Sequence, residues 1–305
     1  EIYTLSLHDA LPIFFPSNKR QKITSGNLSL MFCKNCNLLQ LSQNFNKKEM
    51  YGINYGYKSS LNPTMVNHLK SKAINLQRMI NFSKNDTIID IGSNDGTFLS
   101  FFKKNYRLIG VDPTISKFKK DYKKNIIKVT DFFSENIVKK YLVKKKAKLI
   151  TSIVMFYDLE NPKTFVSDIK NILDENGIWC VQMSYLLLMI KNLNFYDICH
   201  EHLSYYSIHS FEKLIQQFNL KVFYAETNSV NGGSIRLFVC KKVCKIYDSI
   251  NFQTKLTKLR REEEEHHLHD ENTFFKFQKK IDELKEHDPK FDEDVNLITQ
   301  MITSI

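Results

Sequence analysis

The chain has 305 residues, a formal net charge of +11 and six cysteines. This length is enough for one large α/β domain with appendages or for two smaller domains, and no apolar run is long enough to span a membrane. The lysines are scattered over predicted helix faces and turns, which indicates a solvated surface and not a nucleic-acid interface. We therefore expect no nucleic-acid or membrane partner. Cysteines within apolar segments favour a reducing, cytoplasmic setting.

The first 14 residues do not continue into the pattern that follows them. They resemble the translation of a sequencing adapter, so we interpret residues 1–14 as a non-native scar and exclude them from fold prediction. The chain also ends in an acidic, helix-like stretch, and we expect truncation at both ends.

Residues 15–48 contain two cysteines, Cys33 and Cys36, that are separated by two residues. Such a pair on a turn supplies two of the four ligands that a structural zinc ion requires. The partner pair is expected upstream, where the scar lies. We therefore predict a partial zinc-binding domain that holds zinc poorly, with two bystander thiols as the alternative.

Residues 49–84 begin with aromatic and hydroxyl residues interleaved with glycines, followed by an amphipathic helix predicted at 65–79. This composition suits a lid over a ligand and equally suits an ordinary packed loop. The candidate contact residues in it are Tyr55, Tyr57 and Ser60.

From residue 87 onward, strand and helix patterns alternate, which predicts a doubly wound α/β sheet. The predicted strands are 87–92, 107–112, 126–130, 148–156, 177–183, 221–227 and 234–241, and predicted helices include 97–105, 161–174 and 210–218. The last two strands lie too close together for a crossover helix, so they must pair as an antiparallel hairpin. Seven strands with this ending resemble the Rossmann-like class I methyltransferase fold, for which we assign a core of residues 85–243.

A loop with two glycines, residues 90–96, follows the first strand of this core. Glycines allow a sharp turn and a close approach to a ligand, and Asp112 at the end of the next strand is placed to accept ribose hydroxyls. Acidic residues in the loop would repel a diphosphate but suit a cation such as S-adenosylmethionine. We predict that this cofactor binds to Asp90, Gly92, Ser93, Asn94, Gly96 and Asp112, together with Tyr57 and Ser60. Asp95 has helix N-capping as its alternative role.

Residues 194–207, the histidine loop, carry the densest set of chemically active side chains: His200, Glu201, His202, Tyr205 and Tyr206. In an extended backbone His200 and His202 share one face while Glu201 points away. A metal site needs a further ligand that the pattern does not provide. A general base needs one imidazole tuned by a carboxylate, so we predict a base here, with packed histidines as the alternative.

The C-terminal residues 244–305 are highly charged. Glu262 to Glu265, with His266, His267 and His269 after them, predict a solvated helix face and not a metal cluster. Just before this tail, Gly232 and Gly233 with Arg236 indicate a close turn and a cation for a sugar or phosphate. A plain hairpin turn with a surface arginine explains the same residues.

Taken together, five motifs resemble those of the sugar C-methyltransferases, which act on nucleotide-activated 4-keto-deoxysugars. They are Cys33-x-x-Cys36 with Leu38-Leu-Gln40, Tyr55-x-Tyr57-x-Ser59-Ser60, the loop 90–96, His200-Glu-His202 and Gly232-Gly-Ser-Ile-Arg236. The resemblance implies a zinc domain, a methyltransferase core and a second nucleotide-fold domain, of which residues 244–305 are the helical start.

The resemblance also implies a mechanism, in which the proton beside the sugar ketone is removed and the enolate carbon attacks the sulfonium methyl. It gives His202 as the base, Glu201 in support, and His200 and Tyr205 as further catalytic candidates. Some members carry a tyrosine where this chain has Cys199, so Tyr55, Tyr57, Tyr205 or Tyr206 must hold the enolate. Tyr55, Tyr185, Gly233, Ser234 and Arg236 are the candidate substrate-binding residues.

Two alternatives stay open at this stage: an O- or N-methyltransferase for another small acceptor, and a fragment that binds the cofactor without turnover. Residues 155–160 lack the Asn/Asp-Pro-Pro-aromatic motif of amino-directed nucleic-acid methyltransferases, which counts against that class. The sequence does not specify the sugar, the nucleotide or the oligomeric state.

Overall fold

The structure is a computed structural model that describes residues 2–7, 28–44, 55–142 and 146–287. For residues 2–7, 231 and 285 only the backbone is described. Parts of the predicted zinc-binding domain, lid and C-terminal tail therefore lie outside the described residues. Within them the chain forms two sheets and the helices that cover them.

The larger sheet has seven strands, which are β4 (Thr87–Ile91), β5 (Arg107–Val111), β6 (Ile126–Val129), β7 (Ala147–Ile153), β8 (Leu173–Ser184), β10 (Leu220–Asn228) and β11 (Ser234–Lys241). Their order is β10-β11-β8-β7-β4-β5-β6. Neighbours from β8 to β6 are parallel, whereas β11 runs antiparallel to both β8 and β10. The predicted doubly wound sheet and its closing hairpin are therefore confirmed.

The smaller sheet has the order β1-β2-β3-β9, formed by Ile2–Leu7, Leu28–Phe32, Leu39–Leu41 and Ser204–Tyr205. Strand β3 pairs with β9 through Leu39 with Tyr205 and Gln40 with Ser204. Since β9 belongs to the histidine loop, the cysteine-bearing N-terminal segment is joined by backbone hydrogen bonds to that loop.

Eight α-helices are described: α1 (Pro63–Met79), α2 (Ile115–Phe118), α3 (Glu135–Val138), α4 (Pro162–Ile172), α5 (Leu186–Asn192), α6 (Ile208–Gln216), α7 (Ile250–Glu265) and α8 (Glu271–His287). Two of them begin with an asparagine cap followed by proline. Asn62 accepts a hydrogen bond from the Thr64 amide, and Asn161 accepts one from the Thr164 amide. Both starts follow the usual preference for an Asn cap and an N1 proline.

The prediction of a helix at 97–105 is wrong. This segment forms only a short 3₁₀ turn at Leu99–Phe101, with the Phe101 amide bonded to Phe98 O and the Phe102 amide to Leu99 O. Phe98, Leu99 and Phe102 are all buried, and the rings of Phe98 and Phe102 meet edge to face at 5.2 Å. A compact turn buries these three side chains in the few residues available before β5.

The strands of the large sheet are apolar on both faces because both faces are covered. Ile88, Leu149 and Ile178 pack in the cluster beneath α1, while their chain neighbours Ile89, Ile150 and Trp179 pack in the opposite cluster. None of the described helices is both long enough and apolar enough to cross a lipid bilayer.

Candidate active site

The glycine loop (residues 90–96) has the left-handed backbone that its glycines permit, with φ of +74° at Gly92 and +79° at Gly96. A Cβ on Gly96 would lie 2.7 Å from the Tyr122 ring, and one on Gly92 would lie 3.0 Å from Met155 Cγ. The space that these glycines leave is therefore occupied by the protein's own side chains. Ser93 also faces Tyr122, with 2.7 Å between the two hydroxyl oxygens, so its hydroxyl braces the loop from behind.

Asp112 links the end of β5 to the glycine loop. Its Oδ2 accepts the Asn94 amide at 2.8 Å, and its Oδ1 accepts the Thr114 amide at 2.7 Å and the Thr114 hydroxyl at 2.5 Å. The side chain is at the carboxyl edge of the sheet, where nucleoside ribose hydroxyls bind in this class of fold. The structure thus places Asp90 and Asp112 at the ends of adjacent parallel strands, as predicted.

The described part of the predicted lid is tied to this loop by side chains that the loop supplies. Asn94 Oδ1 accepts the Ser59 amide and Asp95 Oδ2 accepts the Ser60 amide, both at 2.9 Å. The Asn94 side-chain amide donates to the Tyr57 carbonyl at 3.0 Å. Asp95 also accepts the Thr97 amide at 3.0 Å, so it combines a local turn role with holding the lid.

Asp90 lies at the base of the site and is 3% exposed. Its Oδ1 accepts a hydrogen bond from the Thr151 hydroxyl at 2.6 Å. Burial raises the pKa of Asp90 to about 7, although Thr151 and the charge of Lys72 lower it. Near neutral pH the carboxylate therefore exists in both protonation states.

The histidine loop does not run as an extended strand through residues 200–202 but turns sharply there. The His202 amide bonds to the Cys199 carbonyl at 3.1 Å, which closes a turn over residues 199–202. The separation of His200 and His202 from Glu201, which holds only for an extended backbone, therefore does not apply here. The turn brings Glu201 into electrostatic interaction with His202.

His202 is held in one orientation. Its Nδ1 lies 2.7 Å from the Asp197 carbonyl oxygen, and because a carbonyl can only accept, Nδ1 carries a proton. The Tyr157 ring lies edge-on at 4.4 Å. Burial alone would lower the pKa of His202, but Cys199, which is hydrogen-bonded to it, and the carboxylates of Asp158 and Asp197 raise this pKa well above its usual value.

Tyr55 connects the two halves of the site. Burial, followed by the charges of Glu201, Asp112 and Asp158, raises the pKa of the Tyr55 phenol well above its ordinary value. Glu201 and Asp112 come from the histidine loop and from the end of β5, so both lie within electrostatic range of one phenol. Burial also raises the pKa of Glu201 to about 7, against the lowering effect of His202.

The other tyrosines predicted for the site occupy different places. Tyr205 is 3% exposed, with its hydroxyl 3.5 Å from the Asp197 carbonyl oxygen. Tyr206 is 1% exposed and packs against Phe156 and Phe211. Tyr57 is half-buried, and burial together with the charge of Asp95 raises the pKa of its phenol. Of the four tyrosines considered for holding an enolate, Tyr55 is the one whose phenol interacts electrostatically with both Asp112 and Glu201.

Several predicted substrate-binding residues serve the fold instead. Tyr185 is fully buried, and its hydroxyl donates to Glu263 in α7 at 2.8 Å. Ser234 donates to the Val230 carbonyl at 2.8 Å. Arg236 is 6% exposed and is paired with Glu226 and Gln182. Arg236 is therefore not the surface arginine of the plain-hairpin alternative, because it is buried in the sheet and its charge is paired with Glu226.

Gly233 is also structural. Its carbonyl accepts the Tyr185 amide at 3.3 Å, and a Cβ on it would lie 2.8 Å from Leu188. The neighbouring Gly232 carbonyl accepts the Asn194 side-chain amide at 2.6 Å. This turn therefore supports the beginning of the histidine loop.

Cys33 and Cys36 form the predicted turn, in which the Asn37 amide bonds to the Cys33 carbonyl at 2.7 Å. The backbone and thiol of Cys36 hydrogen-bond to Cys33 and lower its pKa. Within the described ranges no group of three or more potential metal ligands is assembled. Two thiols do not complete a tetrahedral zinc site, and the upstream partner pair was placed outside the described residues.

Sequence reasoning missed four side chains that shape the site: Lys72, Tyr122, Asp197 and Asp158. Asp197 and Asp158 act on His202 through charge, and Tyr122 bonds to Ser93 and to the Asn94 carbonyl. Asp158 follows β7 at the same sheet edge as Asp90, and this position was a usable signal. Lys72 is an ordinary lysine in an amphipathic helix, so no local pattern distinguishes it.

The sheet order, the reversed strand β11 and the glycine loop with its two acidic partners define a class I methyltransferase. The chain matches the family described as methyltransferase domain over residues 67–225, just over half its length, and it belongs to that S-adenosylmethionine-dependent family. Residues 229–297 match the C-methyltransferase C-terminal domain.

Among individual relatives, the chain is 25% identical to the C-methyltransferase NovU of Streptomyces niveus over 213 residues. The alignment covers 69% of this chain and 50% of NovU, so the chain spans about half the length of this relative.

Two solved structures are also similar to the chain. The plantazolicin methyltransferase BamL, solved with a desmethyl plantazolicin analogue and SAH, is 14% identical, with a TM-score of 0.46 over 59% of this chain and 86% of BamL. An S-adenosylmethionine-dependent methyltransferase from Clostridium acetobutylicum is 11% identical, with a TM-score of 0.44 over 57% of this chain and 91% of that protein.

Proposed function

We propose that the chain is the methyl-transferring part of a C-methyltransferase that acts on a nucleotide-activated 4-keto-deoxysugar. The observation that carries this proposal is that burial, followed by the charges of Glu201 and Asp112, raises the pKa of the Tyr55 phenol, while the lid residues after Tyr55 are hydrogen-bonded to the glycine loop. Proton removal beside a ketone requires a base and a hydrogen-bond donor for the developing oxyanion, and the Glu201–His202 pair with Tyr55 offers groups of both kinds. The similarity to NovU supports C-methylation.

The residues at the glycine loop fit S-adenosylmethionine. Asp112 is at the ribose position, and buried Asp90 can offset a positive charge. S-adenosylmethionine supplies an electrophilic methyl group when bound. The chain's own contribution is to position that group, because alignment of the reacting atoms provides much of the catalysis in such displacements. The lid residues are held against the loop by Asn94 and Asp95.

The charges around the histidine loop support a division of roles between Glu201 and His202. His202 is the base that the resemblance implies, but its raised pKa favours the imidazolium in the unliganded chain. Glu201, with a pKa of about 7, matches the pH at which a general base works best. We therefore assign proton removal to Glu201, and we assign to His202 Nε2 the donation of a hydrogen bond to the developing oxyanion.

Tyr55 is the second donor in this proposal. A phenol whose pKa is raised stays protonated, so it can donate to an enolate oxygen throughout the working pH range. This assigns to Tyr55 the role that a tyrosine at the position of Cys199 has in some sugar C-methyltransferases. His200 and Tyr205 are not required in this scheme.

Two further expectations accompany the proposal. All six cysteines are free thiols, which supports a reducing, cytoplasmic setting. A structural zinc ion on Cys33 and Cys36 requires two more ligands, and no step of the proposed chemistry depends on it. Methylation of an oxygen or nitrogen acceptor is the alternative activity.

Transfer of a labelled methyl group tests the proposal. The chain is incubated with S-adenosylmethionine carrying a ¹³C methyl group and a panel of nucleotide-linked 4-keto-deoxysugars, and the product is examined by NMR. We expect a new carbon–carbon bond at a carbon beside the ketone. A methyl on oxygen or nitrogen establishes the alternative, and no transfer with retained cofactor binding identifies a binding fragment.

A further inference from the structure

Glu263 lies in a run of four glutamates at the end of α7, which the sequence predicts to be a solvated helix face. The structure corrects that prediction, because Glu263 is 4% exposed. The next residues in the run, Glu264 and Glu265, are exposed. One carboxylate of this acidic run is therefore turned into the protein while its neighbours face water.

The buried carboxylate accepts three hydrogen bonds from two separate parts of the chain. Its Oε1 accepts the Ile208 amide at 2.5 Å and the Tyr185 hydroxyl at 2.8 Å. Its Oε2 accepts the His209 amide at 3.1 Å. Tyr185 follows the end of β8, whereas Ile208 and His209 are the first two residues of α6.

These bonds complete the N-terminus of α6. The first turn of a helix leaves backbone amides without intrahelical partners. Ser207 caps the third residue by accepting the Ser210 amide at 3.0 Å, and Glu263 takes the first two. A negative charge at this end also interacts favourably with the helix dipole.

Helix α6 begins where the histidine loop ends. Tyr205 and Tyr206 directly precede the Ser207 cap, and the Tyr206 carbonyl accepts the Leu186 amide at 3.2 Å. The start of the loop is fixed separately, by Asn194 on the Gly232 carbonyl. Glu263 is thus a buried contact, beside the Arg260–Glu212 ion pair, through which the C-terminal helices fix the far end of the loop that carries Glu201 and His202.

The ionised carboxylate is costly to hold in this place. Burial raises the pKa of Glu263 to about 7, although the bonds from Ile208, His209 and Tyr185 lower it. The pKa of Glu263 is higher in the folded chain than in the unfolded chain, so the fold becomes less stable as the pH rises through this pKa and the carboxyl ionises. The charge by itself therefore does not stabilise the fold. Its retention in the interior fits a positioning task.

We infer that Glu263 is a positioning residue that holds the histidine loop in its working conformation, so that the C-terminal segment is part of the catalytic unit. This inference rests on the proposed function for the roles of Glu201 and His202. The contact between Glu263 and the end of the histidine loop is independent of the proposed function, and a measurement without turnover can test it.

The experiment compares Glu263→Gln with Glu265→Gln, an exposed residue of the same helix whose described partner is Arg261. The glutamine oxygen can keep the bonds from Ile208 and Tyr185, but its NH2 group then faces the His209 amide, which is also a donor, so the three-bond arrangement is broken. Hydrogen exchange is expected to accelerate for residues 199–210 by about tenfold or more, the factor that corresponds to losing one hydrogen bond to a charged group. Strands β4 and β5 and the affinity for S-adenosylmethionine are expected to stay unchanged.

Steady-state kinetics provide the functional half of the test. For Glu263→Gln we expect kcat to fall about tenfold or more while KM for S-adenosylmethionine is retained, and for Glu265→Gln we expect both to match the unchanged chain. Exchange in residues 199–210 equal to that of the control overturns the inference, as does a uniform acceleration throughout the chain. Absence of methyl transfer by the unchanged chain refutes the proposed function, and the exchange comparison then decides on Glu263 alone.

If Glu263→Gln does not fold, Tyr185→Phe removes a single donor and keeps the carboxylate. Faster exchange confined to residues 199–210 then supports the inference. Unchanged exchange in residues 199–210 contradicts the inference, because loss of a hydrogen bond to Glu263 would then have no effect on the histidine loop.

Discussion

Asp90 is a carboxylate that the fold keeps away from water and also places at the ligand edge. Its acceptance of the Thr151 hydroxyl favours the charged form, and burial disfavours it more strongly, so its pKa rises to about 7. A cation bound nearby shifts this balance toward the carboxylate. We therefore expect cofactor binding and proton release from Asp90 to be coupled.

This coupling predicts a pH-dependent affinity for S-adenosylmethionine. Since the cationic cofactor binds the ionised form, which is depleted below the raised pKa, affinity is expected to fall by about tenfold between pH 8 and pH 6. Calorimetric titration across this range measures the effect. In Asp90→Asn the affinity is expected to depend much less on pH. Any pH dependence that remains in this variant comes from other groups, such as the cofactor's own amine. Equal slopes in the two proteins would contradict the assignment.

At the level of single residues, the sequence identifies Glu201 and His202 but not their charge states. Those states depend on Asp158 and Asp197, which act through space on His202, and on the turn over residues 199–202. The choice of Tyr55 among four tyrosines had the same limit. The sequence shows which residues are tyrosines, but only the fold shows which phenol lies within electrostatic range of the carboxylates.

At the level of elements, the glycine loop depends on backbone conformation more than on ligand space. Gly96 has a φ of +79°, and Tyr122 fills the position that a Cβ would take, at 2.7 Å. Tyr122 in turn donates to the Asn94 carbonyl at 2.9 Å. A side chain at position 96 would strain the backbone and displace the ring that braces the loop.

We therefore expect Gly96→Ala to destabilise the chain by about 1–3 kcal/mol, the cost of a strained backbone at such a position. Urea denaturation gives the change in the free energy of unfolding. Lys104→Ala, an exposed site in the following segment, is the control and is expected to change stability by less than about 0.5 kcal/mol. The same small change in both variants would show that Tyr122 and the loop adapt without strain.

The strands were predicted far better than the helix after the glycine loop. Continuous apolar runs such as Thr87–Ile91 are buried on both faces and leave little choice of structure. Between 97 and 105 the helical period was present, but burial of Phe98, Leu99 and Phe102 in one short turn decided the outcome. Local pattern predicts an element well when tertiary packing demands the same element.

At the scale of the whole molecule, the contacts that assemble the site join segments far apart in sequence. Strand β3 pairs with the histidine loop, and Glu263 bonds to the start of α6. No periodicity in a single sequence reports such pairings, which is why the acidic run near Glu263 was interpreted as a surface. The N-terminal and C-terminal segments together support the loop that the central sheet presents.

The central claim is that the Glu201–His202 pair removes the proton beside a sugar ketone. The most direct measurement is exchange of that proton for deuterium in D₂O, followed by NMR on a nucleotide-linked 4-keto-deoxysugar without any methyl donor. We predict exchange with the unchanged chain, a loss of about a hundredfold or more with Glu201→Gln, a slower rate with His202→Gln, and full exchange with Glu175→Gln, a remote surface control. Undiminished exchange in both Glu201→Gln and His202→Gln would contradict the account.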